Sequence, residues 1–409
     1  MSLTSYPKNK IRILFLENIS EKAEQLFRAA GYTNILSLKG AMTEQELIEA
    51  IDGVHLLGIR SKTQITPAVL QAASRLQAIG CFCIGVNQVD LIAAQKAGVS
   101  VFNAPYSNTR SVAELVLGLS IMLLRRVPEK NKAAHDGVWQ KEAKGSYELR
   151  GKTIGIVGYG NIGSQISILS ESLGMKVVYY DVETKLPLGN AYSCSSVDEL
   201  LSQSDLITLH IPETPQTRNI INADKLALCK PGAIVINCAR GGVVDYDALA
   251  QAVRTGHIGG AAADVFPVEP EKNGALFASP LQHLNNVILT PHIGGSTEEA
   301  QQHIGTDVAS KLLQYLENGT SYGSHTVPAI SLPALAGAHR ILHIHNNVPG
   351  VLSAINTRLS EHGVNILGQY LKTNEHIGYV VLDVDSALSQ QAAEVLKDVK
   401  ETIKVRLLY

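Results

Sequence analysis

Residues 152–163, Lys-Thr-Ile-Gly-Ile-Val-Gly-Tyr-Gly-Asn-Ile-Gly, run an apolar segment into the glycine triplet Gly158, Gly160 and Gly163, and a second apolar segment, 176–180, ends at Asp181. A strand, a tight turn and a helix use glycines at this spacing: one for the turn, one for close backbone approach to a pyrophosphate, one for helix–strand packing. The free N–H groups and dipole of the helix N-terminus then attract phosphates. The pattern predicts a dinucleotide site, with Asp181 on the ribose hydroxyls. Its carboxylate would repel a 2′-phosphate and no arginine stands in Val182-Glu183-Thr184, so NAD is expected rather than NADP, although Lys185 tempers that preference.

At 409 residues the chain is long enough for two or three domains, each with its own core. A formal charge of −2 and the absence of a long basic run point away from nucleic acid and anionic membranes and toward small ligands. Five cysteines, Cys81, Cys83, Cys194, Cys229 and Cys238, show no metal-ligand pairing, and no metal is expected. The period-2 pair Cys81 and Cys83 is expected on one face of a strand as buried packing, with redox or metal function the alternative. Residues 1–10 have no apolar signal core and the stretch 115–124 is too short to span a bilayer, so a soluble cytoplasmic protein is expected.

Apolar strand candidates alternate with helix-compatible segments over the first hundred residues: strands at 11–16, 55–59, 78–83 and 99–102, helices at 21–30, 43–51, 67–73 and 90–97. A second series starts at Lys152, with a helix over 164–173 and strands at 176–180, 206–210, 233–237, 260–264 and 287–289. These are two sets of βα units. A helix over 112–124 connects them, and one over 297–316 returns the chain toward the first domain. Residues 318–333 turn rich in Gly, Ser, Thr and Pro and mark a linker. Beyond it the pattern reads strand 340–345, helix 350–362, strands 365–371 and 379–385, helix 388–399, strand 403–408. That order, βαββαβ, is ferredoxin-like.

A dinucleotide site implies hydride transfer, so a substrate alcohol or carbonyl needs a group to orient it and a group to move its proton. Arg240 in NCARGG, Glu269 in DVFPVEP and His292 in LTPHIGG each lie just past the carboxyl end of a predicted strand, where open α/β sheets place ligands. Arg240 suits clamping a 2-hydroxy carboxylate and polarising its oxygen. His292, with an ordinary pKa of roughly 6.5, suits the general base, and Glu269 suits orienting its ring. Taken singly, Arg240 reads equally as a surface ion pair, Glu269 as a turn residue before Pro270, and His292 as a loop residue after Pro291.

GYGNIG, NCARGGVVD, DVFPVEP and LTPHIGG together resemble the signature stretches of the D-isomer-specific 2-hydroxyacid dehydrogenases. GIRSKT at 58–63, IGCFCIGVNQVD at 79–90, NAPYSNTRSVAEL at 103–115 and a terminal module with HIHNNVPG resemble the short, ACT-bearing members that oxidise 3-phospho-D-glycerate to 3-phosphooxypyruvate on the way to L-serine. The resemblance implies an α/β fold in which a Rossmann-like NAD domain, 108–295, is inserted in a flavodoxin-like substrate domain, 1–107 and 296–318. A linker, 319–336, and a ferredoxin-like βαββαβ ACT domain, 337–409, follow. It implies Arg240, Glu269 and His292 as catalytic residues. The implied NAD contacts are Gly158, Gly160, Asn161, Ile162, Gly163, Asp181, Cys238, Ala239, Arg240, Asp264, His292, Gly294 and Gly295.

It further implies Arg60, Ser61, Asn108, Gln301 and Lys141 as ligands of the substrate's phosphate and carboxylate, a solvated turn being the alternative for Arg60 and Ser61. L-serine would act as effector at His345, Asn346 and Asn365, for which helix and turn capping is the alternative. Such modules pair edge to edge, which implies a homotetramer, and the loop bearing Trp139 and Lys141 can approach a neighbouring subunit. Two positions depart from the pattern: Lys62 where relatives carry a second arginine, and Val348 where the effector turn often has one. The rival readings are another D-2-hydroxyacid dehydrogenase, reducing 2-oxoglutarate for instance, and an NAD-sensing binding protein like the C-terminal-binding-protein corepressors.

Overall fold

The computed structural model describes residues 6–270, 274–334 and 337–409. The last two residues of the expected linker and residues 1–5 lie outside the described residues. The chain divides into two compact units, Met1–Ser107 with Gln301–Tyr409, and Asn108–Ala300.

In the first unit, strands β1 (Ile13–Phe15), β2 (Ile35–Ser37), β3 (Leu56–Ile59), β4 (Ala78–Cys81) and β5 (Ser100–Asn103) alternate with helices α1 (Glu21–Ala29), α2 (Glu44–Ala50), α3 (Pro67–Ala72) and α4 (Leu91–Lys96). They form one parallel sheet in the order β2-β1-β3-β4-β5, the flavodoxin-like arrangement. Successive residues of β1 enter different cores. Ile13 and Phe15 pack with Phe27, Phe102 and Tyr315, while Leu14 packs with Leu47, Leu57 and Ile79. A strand buried on both faces reads as a continuous apolar run, which is why β1, β3, β4 and β5 are visible in the sequence. The edge strand β2 is not: Leu36 and Ser37 are exposed. Strand β4 ends at Cys81, so Cys83 lies beyond it and only half-buried, and the expected shared face for the two thiols does not form.

The second unit opens with α5 (Thr109–Leu124) and α6 (Val127–His135). Its sheet comprises β6 (Thr153–Val157), β7 (Lys176–Tyr180), β8 (Tyr192–Ser193), β9 (Leu206–Leu209), β10 (Ala233–Asn237), β11 (Ile258–Ala263) and β12 (Val287–Leu289). Between these strands run α7 (Asn161–Ser172), α8 (Val197–Gln203), α9 (Ala223–Leu228) and α10 (Tyr246–Arg254). The order β12-β11-β10-β9-β6-β7-β8 reverses direction between β6 and β9, the switch point at which doubly wound sheets bind ligands. Helix α7 starts at Asn161 rather than at Ser164 because the last glycine of the triplet is already helical.

Helix α11 (Glu298–Asn318) leads back to the first unit, where β13 (His339–Asn346), α12 (Val351–Glu361), β14 (Ile366–Thr373), β15 (Ile377–Val384), α13 (Ser389–Lys397) and β16 (Thr402–Leu408) form the βαββαβ module. Its antiparallel sheet runs β14-β15-β13-β16. Arg340, fully buried, grips Asp383 through Nε at 2.6 Å and Nη2 at 2.8 Å and donates Nη1 to the carbonyls of Asn318 and Pro333 at 3.0 Å each. The module is thereby tied to the chain that precedes it. No helix among the described residues is long and apolar enough to cross a membrane.

Candidate active site

At the end of β6 the backbone of Gly158 turns through φ 94°, and its N–H donates to Tyr180 O at 2.8 Å. A Cβ there would sit 2.4 Å from His210 O, and one on Gly163 would sit 2.2 Å from Gly158 O. Around Gly160 nothing lies within 4 Å of a Cβ, so the turn is open where a phosphate would approach. Asp181 follows β7 and accepts from Tyr159 N at 2.7 Å and Glu183 N at 3.0 Å, which aims its carboxylate over the turn. Lys185 is ion-paired with Glu183, so its charge is already compensated and does little to invite a 2′-phosphate. The glycine cradle, the acid and the paired Lys185 fit NAD.

Three loops at the carboxyl ends of β10, β11 and β12 gather the polar groups. Buried Asn237 closes β10: its Oδ1 accepts from Ala239 N at 3.1 Å, and its Nδ2 donates to Arg240 O at 2.9 Å and to Tyr246 Oη at 3.0 Å. Arg240 is left extended and exposed, with Nη1 on Ala239 O at 2.7 Å. Past β11, Asp264 is 1% exposed. Its Oδ1 accepts from Thr290 Oγ1 at 2.6 Å and Ile293 N at 2.8 Å, and its Oδ2 from Gly294 N at 2.8 Å. A buried carboxylate thus fixes the loop after β12. Cys238 and Ala239, both buried, lie on the β10 loop beside it.

That loop carries His292 in a left-handed backbone conformation, φ 54°. Glu269 is set by its own turn, where Oε1 accepts from Phe266 N at 3.0 Å, and its Oε2 stands 2.8 Å from His292 Nδ1. A carboxylate only accepts, so Nδ1 carries the hydrogen and Nε2 is left for exchange with a substrate. The Glu269 hydrogen bond pushes the imidazole up from its ordinary pKa; partial burial opposes it, the charges of Glu269 and Asp264 add to it, and Arg240 subtracts. Burial would raise the Glu269 carboxyl, but the hydrogen bonds from His292 and Phe266 and the charges of His292 and Arg240 outweigh it and hold the group low. Arg240, Glu269 and His292 therefore share one electrostatic field.

Asn108, just before α5, lies against the same loop, since a Cβ on Gly295 would meet its Nδ2 at 2.4 Å. Lys141 does not join the cluster. It is exposed on the irregular segment after α6, near the 86% exposed Trp139. Arg60 and Ser61 follow β3 and Gln301 lies in α11, all in the first unit. In the terminal module His345 is buried with Nδ1 unpartnered, Asn346 Nδ2 donates to Glu401 Oε2 at 2.9 Å, and Asn365 is exposed just before β14. The ladder pairs Gly378 with both His345 and Thr373, and Val384 with both His339 and Ile366. Asn365 thus stands at the opposite end of the sheet from His345 and Asn346. The positioning roles of Asn237, Asp264 and Thr290 were beyond sequence reading. Their only signal is a polar residue closing or following an apolar strand.

Comparison with known proteins gives a consistent result. Residues 117–294 match the D-isomer specific 2-hydroxyacid dehydrogenase NAD binding domain, and residues 341–406 match the AHAS small subunit-like ACT domain. The chain is 53% identical over 411 residues, spanning all of both chains, to the D-3-phosphoglycerate dehydrogenase of Escherichia coli. It is 53% identical over 405 residues, 99% of each chain, to that of Haemophilus influenzae. The solved D-lactate dehydrogenase of Aquifex aeolicus, a complex with NAD and lactic acid, superposes with a TM-score of 0.66 at 27% identity over 78% of this chain and 100% of the other.

Proposed function

This chain belongs to the D-3-phosphoglycerate dehydrogenases, and we propose that it oxidises 3-phospho-D-glycerate to 3-phosphooxypyruvate with NAD, the first step of L-serine biosynthesis, in the cytoplasm. The observation that carries the chemistry is the 2.8 Å contact between His292 Nδ1 and Glu269 Oε2 beside Arg240. When bound, NAD accepts the hydride from C2 of the substrate. The Arg240 guanidinium clamps the substrate carboxylate and polarises the C2 oxygen as it becomes a carbonyl. His292 Nε2 takes the hydroxyl proton, Glu269 stabilising the imidazolium that results, and returns it in the reverse direction. Arg60 and Ser61, with Asn108 and Gln301, are the proposed ligands of the phosphate and carboxylate. Gly158, Gly160, Asn161, Ile162 and Gly163 hold the pyrophosphate and Asp181 the ribose; Cys238, Ala239, Gly294 and Gly295 line the nicotinamide end. The substrate assignment is tested by ranking kcat/KM for 3-phosphooxypyruvate, hydroxypyruvate and 2-oxoglutarate with NADH. A preference for the phosphorylated acid supports it; equal or reversed values send the reading to another 2-hydroxy acid.

We also propose that L-serine binds the terminal module and inhibits. The β16 edge is covered, Lys404 Nζ donating to Leu76 O at 2.6 Å and Arg406 Nη2 to Leu316 O at 3.0 Å. The β14 edge exposes Leu367 and Leu371. Two copies pairing through β14 around a two-fold axis would bring Asn365 of one to the His345 and Asn346 end of the other, and an effector held there would bridge subunits. A homotetramer follows if the catalytic units pair as well. Scattering-derived mass and inhibition by L-serine test these points.

A further inference from the structure

We propose that Glu17 is the positioning residue of the phosphate-recognition turn, an inference that rests on Arg60 and Ser61 being the phosphate ligands. Glu17 follows β1 in a left-handed conformation, φ 63°, and so does Asn18, φ 54°. Non-glycine residues adopt this region rarely and at a cost that the surroundings must offset. What the conformation achieves is visible in the contacts. The carboxylate, 7% exposed, turns inward under the loop after β3: Oε1 accepts from Arg60 N at 3.1 Å and Thr63 N at 2.9 Å, and Oε2 accepts from Lys62 N at 3.0 Å. From the other side Gln88 Nε2 donates to Arg60 O at 2.6 Å. The left-handed turn itself is pinned by Glu17 N on Gly40 O at 3.0 Å and Asn18 N on Leu38 O at 3.2 Å.

Two consequences follow. A turn with converging N–H groups is ordinarily an anion nest. Here three of its N–H groups already hold an internal carboxylate, so an incoming phosphate has to be met by side chains, those of Arg60, Ser61 and Lys62. The same carboxylate holds the backbone N–H of Arg60 and of Lys62 in one fixed turn, so that both cations leave the chain from a loop already set before a phosphate arrives. Glu17 therefore acts on phosphate recognition through the loop, with no contact to the reacting atoms.

The test compares Glu17→Gln with the wild type on 3-phosphooxypyruvate and on unphosphorylated hydroxypyruvate, in the same preparation, so that any loss of folded protein cancels in the ratio. The amide turns one acceptor into a donor facing an N–H and removes the charge. The expected result is a drop of about tenfold in kcat/KM for the phosphorylated substrate, carried by KM, with hydroxypyruvate changed by less than about twofold, as losing one charged hydrogen bond implies. In an Arg60→Ala background the selective effect of Glu17→Gln should shrink to the part carried by Ser61 and Lys62. Equal losses on both substrates, or none on either, overturn the role of Glu17 while Arg60→Ala alone still discriminates the two. If Arg60→Ala does not discriminate them, the assignment of Arg60 falls and this inference falls with it.

Discussion

The backbone N–H of His292 donates to the carbonyl oxygen of Asp264 at 2.8 Å, so the proposed general base hangs from the residue that follows strand β11. The Asp264 carboxylate fixes the rest of the same loop through Thr290, Ile293 and Gly294. Replacing Asp264 by Asn sets an amide N–H against one of those donors. The expected outcome is a loss of stability of about 1–3 kcal/mol and a fall in kcat of about 10²-fold as the histidine loses its position. Thermal unfolding and steady-state kinetics on the same protein check both.

The pH dependence follows from the raised pKa of His292. Reduction needs the imidazolium, so its kcat/KM falls as pH rises through that value; oxidation needs the neutral ring, so its kcat/KM rises there. Glu269→Gln removes the largest upward influence and leaves burial and Arg240 pulling down against the charge of Asp264 alone, so both limbs move to lower pH. A profile unmoved by the substitution would uncouple the pair. Its effect on stability is small, since the side chains are 51% and 35% exposed and solvent screens them. The share of His292 is complete below its unfolded value and lost as pH rises through the folded one. That of Glu269 is present above its ordinary value and lost as pH falls through the lowered one.

The glycine triplet makes two opposite forecasts. Gly163→Ala drives a methyl to 2.2 Å from Gly158 O and should destabilise the second unit by about 1–3 kcal/mol while weakening NADH binding. At Gly160 the added methyl meets nothing within 4 Å, so stability should change by less than about 0.5 kcal/mol and only cofactor affinity should fall. Melting curves with and without NADH separate the two.

Acid should unfold the protein partly through two histidines buried as neutral rings. Burial pushes His210 down to about 3, and burial with a contribution from His345 pushes His343 to about 4, against an ordinary value of 6.5. The unfolded chain takes up these protons below 6.5 and the folded chain does not, so their share of stability is intact above 6.5 and is lost as pH falls toward the folded values. His210→Gln should flatten the acid limb of a plot of stability against pH.

Legibility in the sequence tracked burial. Strands β7, β10 and β12 were readable to their end residues because they are short apolar runs with polar flanks. Edge strand β2, with Leu36 and Ser37 exposed, and helix α6, with no buried residue, carried too weak a pattern for assignment. The candidate catalytic residues could be picked out because each follows a strand end. Glu17, and the loop-fixing role of Asp264 beyond the NAD contact that the resemblance implied, could not, since their partners lie far along the chain and only folding brings those N–H groups to a carboxylate. The split of Asn365 from His345 likewise depends on strand direction, which residue types do not reveal.

The most direct measurement is NADH oxidation by 3-phosphooxypyruvate with the wild type and His292→Ala, with NADH binding followed in parallel. Turnover by the wild type, cut about 10²-fold or more in a variant that still binds NADH, is the predicted result. A variant that turns over as fast as the wild type, or a wild type that binds NADH and reduces nothing, would contradict the account.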